Sequence, residues 1–273
     1  MKKLRGFILI LMIILLCGCG ASGSYVQGAE FYAWFFNVGK ADSILLDCGG
    51  KYVLIDCGEK DTGKELVKAL QDKGIKKLDY LLITHFDKDH VGGAARVMEN
   101  LEIGTVLQND REKDSDEYDD YVEAVKNSGV NVVTVRDEYA FDLNGSEFTV
   151  TAGKGGYDKD KSNNHSLVTR VDAKGVSFLF TGDVQSERIE EMLDAGVEHC
   201  DVLKVPYHGR EEEKLDELLK ALTPKTAVIT SSVKEPESES SLEALKEAGV
   251  ATYLTRKGTV CIAVADGEYQ VRQ

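Results

Sequence analysis

Residues 84–93 constrain this chain more than any other stretch, because they read Thr-His-Phe-Asp-Lys-Asp-His-Val-Gly-Gly. Four potential metal-ligating side chains fall within six residues: His85, Asp87, Asp89 and His90. The preceding residues 78–83 form a short, largely apolar run of the kind that makes a buried strand. Because a buried strand fixes the start of the following loop, these side chains can be held in one geometry. The pattern predicts a metal site in preference to a solvated acidic turn.

The amino-terminal residues predict export and a lipid anchor. Residues 1–5 are basic and residues 7–16 are apolar, a run too short for an ordinary transmembrane helix and typical of a signal peptide. The sequence Leu-Cys-Gly-Cys at residues 16–19 resembles a bacterial lipobox, so we expect residues 1–18 to be removed and Cys19 to carry lipid. Cys17 fits less well, because a bulky leucine precedes it.

These expectations place the protein on the outer face of the bacterial cell membrane. Residues 19–29 would form the lipidated tether and residues 30–273 the folded domain. A plain secretory signal and an uncleaved anchor are the alternatives. The mature chain would keep 255 residues, enough for a large domain with a substantial core.

The charge of the chain is strongly acidic. The formal net charge is −14, and it becomes −17 when the three cations of residues 1–18 leave with the signal peptide. Such a surface gives no general attraction to nucleic acid or anionic lipid. This counts against a nuclease, although a pair of metal ions can supply local positive charge. No protein partner can be inferred from the sequence.

The remaining cysteines do not suggest a thiolate metal site, because no Cys-x-x-Cys pattern occurs among Cys48, Cys57, Cys200 and Cys261. Disulfides are permitted outside the cell. A bridge between Cys48 and Cys57 is nevertheless not expected. A two-residue turn at residues 49–50 would leave them far apart along the hairpin.

Strands and helices alternate in two comparable halves, which predicts two packed sheets with helices outside. Strands are predicted at residues 30–37, 43–47, 52–56, 78–83, 104–108, 130–135, 147–152, 167–172, 176–181, 201–205, 226–230, 251–255 and 259–265. Helices are predicted at residues 61–74, 94–101, 114–127, 185–194, 211–222 and 240–247.

Further candidate ligands lie beside predicted strands, and an ion needs them because one loop cannot surround it. Asp56 ends an apolar strand, where a hydrogen bond to a ligand histidine would satisfy its buried carboxylate. Asp183 follows another strand and could bridge two ions through its two oxygens. His208 follows a third strand, and His165 precedes a fourth.

Taken in order, these motifs resemble those of the metallo-β-lactamase superfamily. They are residues 54–58 (Leu-Ile-Asp-Cys-Gly), 85–93, 179–183 (Leu-Phe-Thr-Gly-Asp) and 208–209 (His-Gly). Asp87 replaces the second histidine of the usual His-x-His-x-Asp-His pattern. This form is similar to the hydrolase domain of the DNA-uptake protein ComEC and its stand-alone relatives, as are residues 38–42, 163–168 and 204–209. The resemblance covers residues 31–264, and it implies an α+β fold for the domain of residues 30–273, an αββα sandwich of two mixed sheets with helices on the outside.

The resemblance also implies two divalent metal ions, Zn or Mn. His85 and Asp87 would bind one ion, and Asp89, His90 and His208 the other. Asp183 would bridge them, and Asp56 would support a ligand histidine from behind. The ions would activate a water molecule and polarise the bond under attack, with Asp89 and Asp183 as catalytic residues. Carboxylate ligands shift the preference from zinc towards manganese.

Three segments depart from the family pattern. Within residues 162–166, either His165 or one of the residues Asn163 and Asn164 would face the metal, and Asn164 is the expected supporting residue. Residues 207–210 read Tyr-His-Gly-Arg where the branch often has His-His-Gly-Ser. Residues 234–238 lack the late histidine that could donate to a leaving oxygen. His199 is predicted to be structural.

The expected function is an extracytoplasmic metal-dependent phosphodiesterase. Its substrate would be a nucleic acid, a cell-wall polymer or a small phosphodiester. A β-lactamase or thioesterase of the same fold is the alternative enzyme, although Asp87 counts against both. A non-catalytic, metal-stabilised surface binding protein is the alternative outside enzymology.

Overall fold

A computed structural model of the chain describes residues 28–157 and 161–273. The predicted signal peptide, Cys19 and the tether up to residue 27 lie outside the described residues. Within the part that is described, no helix has the length and apolar character needed to cross a membrane.

Fifteen strands and seven α-helices make up the described fold. The strands are β1 (Phe31–Phe35), β2 (Ile44–Asp47), β3 (Tyr52–Ile55), β4 (Lys77–Ile83), β5 (Glu102–Gln108), β6 (Asn131–Thr134), β7 (Glu138–Leu143), β8 (Ser146–Thr151), β9 (Val168–Ala173), β10 (Val176–Phe180), β11 (Val202–Lys204), β12 (Thr226–Ile229), β13 (Ala251–Leu254), β14 (Val260–Ala265) and β15 (Glu268–Arg272). The helices are α1 (Gly63–Asp72), α2 (Lys88–Val91), α3 (Ala94–Asn100), α4 (Asp116–Ser128), α5 (Ser186–Asp194), α6 (Leu215–Leu222) and α7 (Glu239–Glu247).

The strands form two mixed sheets, so the predicted αββα sandwich is confirmed. The first has the order β15-β14-β1-β2-β3-β4-β5-β6 and the second β13-β12-β11-β10-β9-β8-β7. Each sheet is parallel where helices cross between its strands, from β3 to β6 and from β10 to β13, and its other strand pairs are antiparallel.

Three apolar cores hold these layers together. The aromatic strand β1 serves two of them: Phe31 and Phe35 face the layer between the sheets, whereas Tyr32 and Trp34 face the helices α1 and α3. The third core packs α5, α6 and α7 against the outer face of the second sheet. Because β1 is buried on both faces, its sequence is a continuous apolar, largely aromatic run and does not alternate with polar residues.

Two strands, β7 and β15, are absent from the sequence prediction. Both are edge strands whose residues alternate between exposed and half-buried positions. Their charged outward residues hide the strand pattern. The four cysteines within the described residues are free thiols.

The parallel strands position the candidate site. Their carboxyl ends share one edge of each sheet, and at that edge β3 leads to Asp56, β4 to Thr84 and β10 to Asp183. His208 follows β11 in a tight turn, Pro206–Gly209, in which Tyr207 and His208 are not helical. His90 contacts Asp183 and His208 contacts Asp89, so the edges of the two sheets face the same space.

Candidate metal centre

Four buried side chains bring their ligand atoms within 4.8 Å of one another: Asp89, His90, Asp183 and His208. The Oδ2 atom of Asp183 lies 3.0 Å from Nε2 of His208 and 3.4 Å from Nε2 of His90. The Oδ2 atom of Asp89 lies 3.4 Å from the same nitrogen of His208. Because α2 supplies two of these residues and the second sheet the other two, the site exists only when both halves of the chain pack together.

The histidines present nitrogen atoms that suit a metal ion. The Nε2 atoms of His85, His90 and His208 are buried and make no hydrogen bond of acceptable geometry within the described protein. Buried polar atoms are nearly always satisfied. In each ring the opposite nitrogen is anchored by a neighbour, the usual arrangement of a ligand histidine. The residues present therefore fit a divalent ion.

Asp56 orients the histidines of the first half. Its Oδ1 atom accepts from the backbone N–H of Thr84 at 2.8 Å, and its Oδ2 atom lies 2.7 Å from both Thr84 Oγ1 and His90 Nδ1. Thr84 Oγ1 also lies 3.1 Å from Nδ1 of His85. One carboxylate thus fixes the rotamers of two candidate ligands, directly for His90 and through Thr84 for His85.

Asp42 and Lys204 were not singled out as site residues from the sequence, although both lie in motifs that carry the family resemblance. Lys204 Nζ lies 2.6 Å from Oδ2 of Asp42 and 3.4 Å from Oδ1 of Asp183. Asp42 Oδ1 accepts from Thr230 Oγ1 at 2.6 Å. Thr230 in turn holds Nδ1 of His208, with both of its oxygens at 2.9 Å. This network supports the second half of the site.

The backbone is strained where these residues leave their strands. Asp56, Tyr207 and His208 have φ angles of 57°, 51° and 53°, in the left-handed region that favours glycine. Such conformations persist where the surroundings hold them and occur often at functional sites.

The ionisation of the site follows from its burial and its crowded charges. Burial and the neighbouring His90 lower the pKa of His85 to about 4. Burial alone would also lower the pKa of His90, but the carboxylates of Asp183 and Asp56 outweigh it and raise that pKa well above its usual value. Burial would raise the pKa of Asp89, yet His208 and His90 lower it. The pKa values of His90 and Asp89 thus both shift towards the charged form, because imidazolium and carboxylate stabilise each other in this buried site.

Asp87 lies outside the four-residue group. Its Oδ1 atom accepts from Lys113 Nζ at 2.7 Å and from Ser162 Oγ at 2.8 Å. Asp87 and His85 instead line one wall of a cleft of about 600 Å³ beside the site. Other lining residues are Arg111, Lys113, Tyr157 and His165.

In the segment of residues 162–166, neither His165 nor Asn164 belongs to the four-residue group. His165 packs on Tyr157 with ring centroids 5.0 Å apart. Asn164 is buried and bonded away from the histidines, to Glu187 Oε2 at 2.7 Å and the N–H of Gln185 at 2.8 Å. Ser166 is the residue of this segment that meets the site, since its Oγ atom lies 3.2 Å from His85 Nδ1 and accepts from the N–H of Asp183 at 3.1 Å.

Two other sequence expectations concern histidine. His199 lies outside the site, with Nδ1 placed 2.9 Å from the carbonyl oxygen of Leu222.

In residues 234–238, the segment that lacks the late histidine, Glu237 is buried and bonded to Ser231 and Arg256. That segment is therefore anchored by an internal ion pair.

A sequence model of the metallo-beta-lactamase superfamily matches residues 37–231. ComE operon protein 3 of Bacillus subtilis is 30% identical over 169 residues, which cover 62% of this chain and 22% of that protein. Recombination protein 2 of Haemophilus influenzae is 28% identical over 231 residues, covering 80% and 26%. Competence protein ComA of Neisseria gonorrhoeae is 25% identical over 199 residues, covering 72% and 26%. The chain spans about a quarter of the length of these curated relatives.

Solved structures of low sequence identity share the fold. Igni18, a metallo hydrolase of Ignicoccus hospitalis, has a TM-score of 0.54 at 15% identity, covering 89% of this chain and 99% of Igni18. YhfI, a metallo-beta-lactamase fold protein of Bacillus subtilis, has a TM-score of 0.56 at 12% identity, covering 83% and 98%. At such identities the likeness extends to the fold alone.

Proposed function

The chain belongs to the metallo-β-lactamase superfamily, in its ComEC-like branch, and on that premise we propose that it is an extracytoplasmic, metal-dependent phosphodiesterase. The observation that carries the proposal is the buried group Asp89, His90, Asp183 and His208, together with the unsatisfied Nε2 atoms of its histidines. The Nε2 atoms of His90 and His208 converge with carboxylate oxygens of Asp89 and Asp183 at 3.0–3.4 Å without a hydrogen bond of acceptable geometry, which is the arrangement expected around a cation.

Asp89, His90, Asp183 and His208 would hold one divalent ion, zinc or manganese, and His85 with Asp87 would contribute to a second. When bound, such ions supply a Lewis acid and make a water molecule acidic enough to serve as nucleophile near neutral pH. His165 stays a proposed alternative ligand, and Asn164 a proposed support, of that second position.

The chain's own residues provide for an anionic substrate. Lys40 donates to Asp89 Oδ2 at 2.7 Å and remains partly exposed, so it can also face a substrate phosphate. Arg111 and Lys113 line the cleft beside His85. We propose Asp89 and Asp183 as the catalytic residues. Their carboxylates would orient the nucleophile and balance the positive charge of the ions.

Several kinds of molecule belong to the proposed substrate class of phosphodiesters. One relative is named as a recombination protein, and we therefore include nucleic acid in the proposed substrate class. A cell-wall polymer or a small phosphodiester contains the same type of bond.

We further propose that residues 1–18 direct export and that Cys19 carries a lipid. The lipid would hold the domain of residues 30–273 at the outer face of the membrane.

The test is a substrate panel on the mature domain, with Mn²⁺ or Zn²⁺ added after chelation. Bis-p-nitrophenyl phosphate, single-stranded DNA and a teichoic-acid fragment represent phosphodiesters, while nitrocefin and a thioester represent the other activities of the fold. His208→Ala should abolish metal-dependent turnover, and the exposed control His199→Ala should retain it. Turnover of nitrocefin or the thioester alone, or of nothing, would refute the proposal.

A further inference from the structure

Lys204 and Asp42 form an ion pair that is fully buried behind the metal centre. Their side chains are 0% and 1% exposed, and the Nζ–Oδ2 distance is 2.6 Å. A lysine is almost never fully buried without a partner. Because a well-packed apolar pair often stabilises a fold as well as a buried ion pair does, stability alone is a weak reason for this one.

The lysine is directed at a candidate ligand. Besides Asp42, its ammonium donates to the carbonyl oxygen of Gly182 at 2.8 Å and lies 3.4 Å from Asp183 Oδ1. Since Oδ1 of Asp183 faces the ammonium, Oδ2 is the oxygen that faces His90 and His208. The cation therefore selects which oxygen of Asp183 points into the site.

The aspartate is connected to a second ligand through its other oxygen. Asp42 Oδ1 accepts from Thr230 Oγ1, and Thr230 holds Nδ1 of His208. Asp42, Asp56 and His90 are also close enough to hold a cation. There, however, Asp42 already binds the Lys204 ammonium and Asp56 the ring of His90, so a separate metal site is not needed to explain them.

We propose that Lys204 and Asp42 are positioning residues that together set the direction of Asp183 Oδ2 and His208 Nε2. Neither side chain would itself hold the ion. Lys204 acts through Asp183, and Asp42 acts through Lys204 and through Thr230. The inference rests on the metal site of the proposed function, and it assigns the geometry of that site's second half to a buried pair.

Positioning and simple charge predict opposite effects of Lys204→Met. The substitution removes a positive charge beside Asp183, so electrostatics alone would strengthen binding of a divalent cation. If the lysine orients Asp183, binding weakens despite the more negative site, by about 10- to 100-fold as for other outer partners of metal ligands. The charge-balanced variant Lys204→Met/Asp42→Asn leaves the net charge unchanged and should weaken binding as well.

The experiment is calorimetric titration of the metal-free mature domain with Mn²⁺, and with Zn²⁺ in parallel. Wild type, Lys204→Met, the double variant and Lys225→Met are compared, with folding checked by circular dichroism and thermal unfolding. Lys225 is a matched control, because it pairs with Asp201 at 2.9 Å on the surface of the same sheet. We expect wild-type affinity for Lys225→Met and about 10- to 100-fold weaker binding for the other two variants.

Affinity equal to or tighter than wild type in either folded variant of the pair would overturn the positioning role. If Lys204→Met does not fold, the double variant decides, and failure of both to fold would assign the pair to folding instead. A wild-type domain that binds neither ion would refute the proposed metal centre itself. That result is distinct from failure of this inference.

Discussion

The ring of His90 lies between two carboxylates. Its Nδ1 atom is 2.7 Å from Asp56 Oδ2, and its Nε2 atom, on the opposite side of the ring, is 3.4 Å from Asp183 Oδ2. One bond to the first half of the chain thus aims the ring at a carboxylate of the second half. The same logic recurs at His208, where Thr230 holds Nδ1 and Nε2 faces Asp183.

Asp56→Asn should weaken metal binding about 10- to 100-fold, because an amide cannot orient and polarise His90 as the carboxylate does. Asparagine tolerates the positive φ of residue 56, so the backbone should be retained. Calorimetric titration with Mn²⁺ measures the change. The control is Asp47→Asn, since Asp47 is also buried but bonds only the hairpin N–H of Gly50 at 2.7 Å. Equal affinities of the two variants would contradict the role of Asp56.

The sequence predicts Asp56, Asp183 and His208 as site residues because each lies at the end of an apolar strand. This pattern is visible in the neighbouring residues alone. Asp42 and Lys204 escape the same reasoning. A lysine in a strand normally predicts an exposed position, and the burial of Lys204 depends on an aspartate far away in the chain. Such a pair becomes visible only when the two halves pack.

The segment of residues 162–166 shows a similar limit. His165, Asn163 and Asn164 have the residue types of metal ligands or their supports, whereas Ser166 appears ordinary in the sequence. A 3-10 helix at Ser162–His165 turns the segment so that the Ser166 hydroxyl meets His85. Sequence spacing does not determine which side chain of so short a turn faces inward.

Gly93→Ala should lower the free energy of unfolding by roughly 1–3 kcal/mol through overpacking. A Cβ at this position would collide with the backbone carbonyl oxygen of Cys57. The loop of residues 85–93 would have to move away from the strand end that bears Asp56, so metal affinity should fall too. Urea unfolding measures the stability, and an unchanged unfolding midpoint would contradict the close approach.

Asp201 should stabilise the fold in a pH-dependent way. Burial would raise its pKa, but bonds from Lys225 and Ser177 outweigh burial and lower the pKa to about 2. The folded state therefore binds fewer protons than the unfolded state between about pH 2 and 4. The stabilisation is present above that window and is lost as the pH falls through it.

Asp201→Asn should consequently be less stable than wild type at pH 7, by roughly 1 kcal/mol because partial exposure screens the charge. The difference should shrink as the pH approaches 3. Urea unfolding at pH 7, 5 and 3 tests this, and a difference that stays constant with pH would contradict it.

Arg111→Ala should raise the KM for a phosphodiester about tenfold, because a charge-assisted contact to the substrate is lost. A tenfold change corresponds to a loss of about 1.4 kcal/mol of binding free energy. Metal affinity should be unchanged, since Arg111 lines the cleft and contacts none of the four clustered residues. Steady-state kinetics with Arg136→Ala as the control test this, because Arg136 is exposed and lies outside the cleft. A loss of kcat with unaltered KM would argue against substrate binding at Arg111.

An anomalous difference map from crystals soaked in Mn²⁺ tests the central claim most directly. The account predicts a peak enclosed by Asp89, His90 Nε2, Asp183 Oδ2 and His208 Nε2. A peak only at other acidic groups, or none at this site in crystals that bind Mn²⁺ elsewhere, would contradict it.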